Sequence, residues 1–139
     1  MNQIELTLKI NQLKRDIKNL ESSKTSARKK IKANQDILKE AQHSKQKFEQ
    51  RISELHSNLN NRLNRVEGAF PNYYRKEHND VLKKGDLDKA SGSLTETINK
   101  AKRSIIKLED ETSNIDRRIA SKKRELKNYQ NLLLEAKGE

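Results

Sequence analysis

The sequence predicts an all-α protein, an antiparallel coiled-coil helical hairpin with a short helix or loop at the tip. Three observations carry this. Apolar residues recur at alternating spacings of three and four from Leu6 to Val66, and again from Leu94 to Ala136. Between the two runs stand the first glycine, Gly68, and the only proline, Pro71. The composition is 31% hydrophobic against 37% charged, too polar for a globular core but suited to helices that each hide a thin stripe. Disorder is the competing reading of so polar a chain. A period of 3.5 residues held without a slip argues against it.

The first helix is expected over residues 1–67. With Ile10 as heptad position a, the a row is Ile10, Ile17, Lys24, Ile31, Leu38, Lys45, Ile52, Leu59 and Val66. The d row is Leu6, Leu13, Leu20, Ala27, Asn34, Ala41, Phe48, Leu55 and Arg62. Such a helix would be roughly 90 Å long, and its stability must come from whatever covers the seam. Polar seam residues cost stability but can set register or helix number. Lys24 and Lys45 are read as snorkelling out of a thin interface, and Asn34 is left open between the two roles.

The connector is expected over residues 68–92. Pro71 disfavours helix at Phe70 and can open a new helix itself. Residues 72–84 read as that short helix, with Gly85 as its C-terminal cap. Residues 86–92 read as a loop, with Ser91 or Ser93 as the next cap, and Ser93-Leu94-Thr95-Glu96 fits a capping box for the second helix, expected over residues 93–137. Its seam is Leu94, Ile98, Ala101, Ile105, Leu108, Thr112, Ile115, Ile119, Lys122, Leu126, Tyr129, Leu133 and Ala136.

Two heptad helices joined by so short a connector fold back antiparallel. If the turn is centred near residue 80, residue i faces about residue 160 minus i. Phe48 then meets Thr112, Leu38 meets Lys122, and the end of the second helix reaches about residue 21. The first turns of helix one overhang, which leaves Leu6, Ile10, Leu13, Ile17 and Leu20 uncovered as a candidate partner-binding seam. Lys9, Lys14, Arg15 and Lys18 flank it and could steer an acidic helix. Phe70, Tyr73 and Tyr74 form a second candidate, either a hydrophobic plug closing the tip or a recognition patch.

The net charge is +11. Residues 1–66 carry 15 basic and 7 acidic groups, whereas residues 93–139 carry 11 and 8. The densest basic patch is Arg28, Lys29, Lys30 and Lys32, with Arg117-Arg118 and Lys122-Lys123-Arg124 on the second helix. These runs could track phosphates, but interleaved acidic residues favour ordinary solvated faces. No stretch is apolar enough to span a membrane, and the start lacks a signal-peptide pattern, so a protein soluble when made is expected. The narrow seams also lack the interfacial Trp or Phe of surface-lying helices. The absence of cysteine excludes disulfides and thiolate metal sites. His43, His56 and His78 are scattered, there is no glycine-rich phosphate loop, and a hairpin offers no concave pocket. No enzymatic activity, cofactor or metal is expected.

A small, cysteine-free helical hairpin without a signal peptide resembles the WXG-type proteins of the type VII secretion system. The Lys/Glu/Asn-rich heptads, the length and the aromatic-containing turn look more like the small helical partners encoded beside LXG-domain toxins in Gram-positive bacteria. Glu67-Gly68-Ala69-Phe70 stands where a Trp-X-Gly turn would. The Tyr-X-X-X-Asp/Glu export spacing occurs only at Tyr73 and Glu77, in mid-chain, and Tyr129 is followed four residues later by Leu133. The resemblance implies a chaperone-like adaptor that binds a toxin's helical N-terminal domain side by side, with room for a second small helical protein. It also implies synthesis in the cytoplasm and export on the partner's signal.

Two other readings stand beside this one. One is a basic nucleic-acid-binding coiled-coil arm, similar in shape to the tRNA-contacting arm of seryl-tRNA synthetase. The other is a structural coiled coil that self-assembles into a homo-oligomer. A prefoldin-like chaperone is disfavoured, because residues 67–92 lack the alternating pattern of β-hairpins.

Overall fold

A computed structural model describes residues 1–65, 72–73, 75–77 and 86–138. The chain is an all-α helical hairpin in which a long first helix, α1 (Gln3–Leu63), packs antiparallel against a long second helix, α2 (Asp86–Gly138). No strand occurs among the described residues.

α1 starts where its sequence can cap it. The Asn2 side-chain oxygen accepts the Glu5 backbone N–H at 2.8 Å, and the Glu5 carboxylate accepts the Asn2 N–H at 2.9 Å. This reciprocal pair satisfies two donors that the first turn cannot satisfy itself. The helix ends at Leu63, and residues 64–65 form a turn. Val66 and Glu67, the last residues expected in helix one, lie outside the described residues, as do Phe70, Tyr74 and Gly85. Of the expected short helix, Asn72, Tyr73, Arg75, Lys76 and Glu77 are described and helical.

α2 begins earlier than expected. Residues 86–92, read as a loop, are helical. The apolar pattern simply extends backwards, since Leu87, Ser91, Leu94 and Ile98 continue the alternating spacing and are all buried or half-buried. That burial outweighs the cost of about 1 kcal/mol for a glycine inside a helix, and a Cβ at Gly92 would meet nothing within 4 Å. The expected capping box is therefore not used. Ser93 lies inside the helix and its carbonyl accepts the Thr97 hydroxyl at 3.0 Å, while Glu96 pairs with Lys100 at 3.7 Å.

The second seam is as the periodicity places it. All thirteen positions from Leu94 to Ala136 are buried or half-buried. In α1 the predicted rows hold from Leu6 through Ile52 and again at Leu59, and part from the structure at Leu55 and Arg62. Leu55 is 52% exposed and Arg62 is exposed, whereas His56, Leu59 and Asn60 are half-buried and Leu63 is buried. From Ile52 to Leu63 the covered face advances at the natural helical period, near 3.6 rather than 3.5 residues per turn, so the strict heptad rotates off the seam.

The hairpin contains two compact units, one of Met1–Ala33 with Ser104–Glu139 and the other of Asn34–Arg103. In the second unit Ala41, Leu63, Ile98 and Ala101 are the buried apolar side chains among the described residues. There the Arg75 guanidinium donates to the side-chain oxygen of Asn64, which ties Arg75 to the turn that follows α1.

Candidate partner-binding surface

In the first unit the side-chain pairs set the register. Gln3 Nε2 donates to the Ala136 carbonyl at 3.2 Å, the Lys9 ammonium lies 6.0 Å from the centre of the Tyr129 ring, and Lys122 meets Asp16 at 3.8 Å. Lys24 meets Asp116 at 2.5 Å. Within this unit residue i thus faces about residue 139 minus i, not 160 minus i. The physical reason lies in the connector. Residues 86–92, expected as a loop, are helical and belong to α2, so the second arm begins earlier than a turn centred near residue 80 allowed.

This shift removes the overhang. Leu6, Ile10, Leu13, Ile17 and Leu20, expected to be uncovered, are all buried, and Leu13 is only 1% exposed. Their row lies opposite Lys122, Leu126, Tyr129, Leu133 and Ala136 of α2, each of which is half-buried. Each aliphatic side chain so covered stabilises the hairpin by about 1.5–3 kcal/mol relative to exposure. The seam is closed within the chain, and it offers no free apolar face to a partner.

The charges follow the same register. Lys24 keeps 23% of its side chain exposed and reaches across the seam to Asp116, while Lys122 of α2 reaches across in the opposite sense to Asp16. The Lys24 ammonium therefore leaves the apolar seam for a specific carboxylate rather than for water alone. Lys45 instead pairs with Glu49 on its own helix at 3.8 Å. Asn34 is half-buried in the seam. Lys123 lies 4.0 Å from Glu21, so the basic run of α2 sits beside the acidic residues of α1.

The basic patch Arg28, Lys29, Lys30 and Lys32 is exposed. The register brings the acidic run Glu109-Asp110-Glu111 of α2 to the same level. Opposite charge on the neighbouring helix weakens the local positive potential that a phosphate backbone would need. Tyr73 of the aromatic tip is 61% exposed.

Apolar side chains outside the heptad rows, absent from the sites expected above, stand on the outer faces of this unit. Ile4 and Leu8, four residues apart on the face of α1 away from the seam, are 72% and 63% exposed. Leu132 and Leu134 flank the half-buried Leu133, and both are exposed. The signal was present in the unbroken run Leu132-Leu133-Leu134, of which a single seam can cover only one member. Leu132 borders a recess of about 270 Å³ with Met1, Leu6, Glu135 and Ala136. On the other flank Leu134 lines a larger groove with Ile10 and Leu133.

No group of His, Cys, Asp and Glu suited to a metal ion occurs among the described residues. No helix among them is long and apolar enough to cross a membrane. Comparison with family models, with curated proteins and with solved structures finds no match to this chain.

Proposed function

We propose that this chain is a non-enzymatic helical adaptor that binds another helical protein side by side. One observation supports the reading above the others. The inner rows of the first unit already cover each other, yet Ile4, Leu8, Leu132 and Leu134 at the same end remain exposed on its outer faces. Large aliphatic side chains outside a satisfied seam are what a further helix would cover. The resemblance of its architecture, length and heptad composition to the small partners of LXG-domain toxins supports the N-terminal helical domain of such a toxin as the partner. The adaptor would hold that domain in a form competent for type VII secretion and rely on the partner's export signal.

The test is affinity capture with the full chain from a lysate of its native cell, with and without nuclease, followed by mass spectrometry of the retained proteins. A toxin-type helical protein retained after nuclease and released by raised salt is the expected result. Capture that disappears on nuclease treatment would replace this reading with the nucleic-acid arm. Retention of the chain's own second copy alone would replace it with a self-assembling coiled coil.

A further inference from the structure

Along one flank of the first unit runs a shallow groove of about 480 Å³. Ile10 of α1 and Leu133 and Leu134 of α2 form its apolar part, and Lys14, Lys127 and Lys137 stand around them. Ile10 is buried, Leu133 is half-buried and Leu134 is 69% exposed. Among the described residues no carboxylate lines the groove. Among the described residues none of its three lysines forms an ion pair, although cross-helix pairs engage Lys24, Lys122 and Lys123 elsewhere in the unit.

We propose that this groove docks an acidic amphipathic helix of a partner protein. The inference rests on the adaptor reading and adds to it a site and a partner chemistry. A helix laid along the groove would place aliphatic residues spaced three and four apart on Leu133 and Leu134. Its flanking carboxylates would meet the three ammonium groups, which steer the encounter and fix orientation. A second copy of this chain is a poor occupant. The unit carries 17 Lys and Arg against 10 Asp and Glu, and two copies joined at this groove would set lysine against lysine. A phosphate backbone would answer the lysines but leave Leu134 uncovered.

The test is a fluorescence-anisotropy titration of the full chain with a labelled model peptide of about three heptads, with leucine at a and d and glutamate on both flanks. A peptide of the same composition in scrambled order and a short DNA duplex serve as comparison probes. The amphipathic peptide is expected to bind at least ten-fold more tightly than the scrambled one. Lys14→Glu/Lys127→Glu/Lys137→Glu is expected to weaken it ten-fold or more, and Leu134→Ser several-fold. Ile106→Ser, at an exposed position of the same unit, is expected to leave binding unchanged. Circular dichroism checks that each variant stays folded, which the exposure of the altered side chains favours. Equal affinity for the ordered and scrambled peptides overturns the proposal, as does binding unaffected by Leu134→Ser, or preference for the duplex. If the groove variants still capture the same protein from lysate, the groove assignment fails and the adaptor reading stands. If the peptide binds as expected but no protein is captured, the adaptor reading fails and the groove's chemistry stands.

Discussion

Leu13 is the side chain on which closure of the seam can be measured. It is 1% exposed and the only large side chain buried so completely among the described residues. Truncation to alanine removes three buried carbon atoms and leaves a gap facing the α2 row. Buried Leu→Ala changes cost about 2–5 kcal/mol, the value rising with the cavity that persists. A seam between two helices is open at its edges, so the helices can close part of the gap, and the lower half of that range, about 2–3 kcal/mol, applies. At about 1.4 kcal/mol for each factor of ten, the folding equilibrium falls by roughly two orders of magnitude. Leu8→Ala is the matched control, because the same atoms are lost from a side chain that is 63% exposed, where a change within about 0.5 kcal/mol is expected. Urea titration followed by far-ultraviolet circular dichroism gives both values. Equal effects of the two substitutions, or a Leu13→Ala cost below that of Leu8→Ala, would refute the burial of this row and restore the overhang.

Two further outcomes follow from the geometry. A double-mutant cycle on Lys24→Ala and Asp116→Ala is expected to give a coupling of about 0.5–1 kcal/mol at low salt, fading as salt is added. The value stays modest because the Asp116 side chain is half exposed and exposed pairs are screened, and zero coupling would remove this pair from any role in register. Gly92→Ala is expected to stabilise the protein by about 0.5–1 kcal/mol in thermal unfolding, because the position is inside α2 with open space around it and alanine is the better helix former. Destabilisation there would mean that the residue closes a turn, as the sequence alone suggested.

The seam rows were legible without coordinates because a helix period near 3.5 leaves one narrow face apolar, and that face has to be covered whatever covers it. This is why the second seam is covered from Leu94 to Ala136 and the first from Leu6 to Ile52. Periodicity does not fix how far the two rows slide along each other. Heptads match at any shift of seven, and a connector read as partly loop does not choose among those shifts. The choice lies in contacts between residues far apart in the chain, namely Gln3 with Ala136, Asp16 with Lys122, and Lys24 with Asp116. Two local signals also pointed the wrong way. Gly92 and Ser93 read as a break, but a glycine penalty of about 1 kcal/mol is smaller than the gain from covering Leu87 and Leu94. Leu55 read as a seam residue, but after Ile52 the covered face turns at the natural helical period and passes to His56.

The sequence by itself therefore determined the fold class, the identity of nearly every seam residue and the uneven placement of charge, since all three depend on local periodicity and composition. Only the tertiary structure decided the register, and with it which apolar side chains remain outside. The candidate site moved from the inner row of α1 to the outer face and the lysine-rimmed flank of the first unit. Exposure is a property of what lies opposite a residue, and in an antiparallel hairpin that neighbour comes from the far end of the chain.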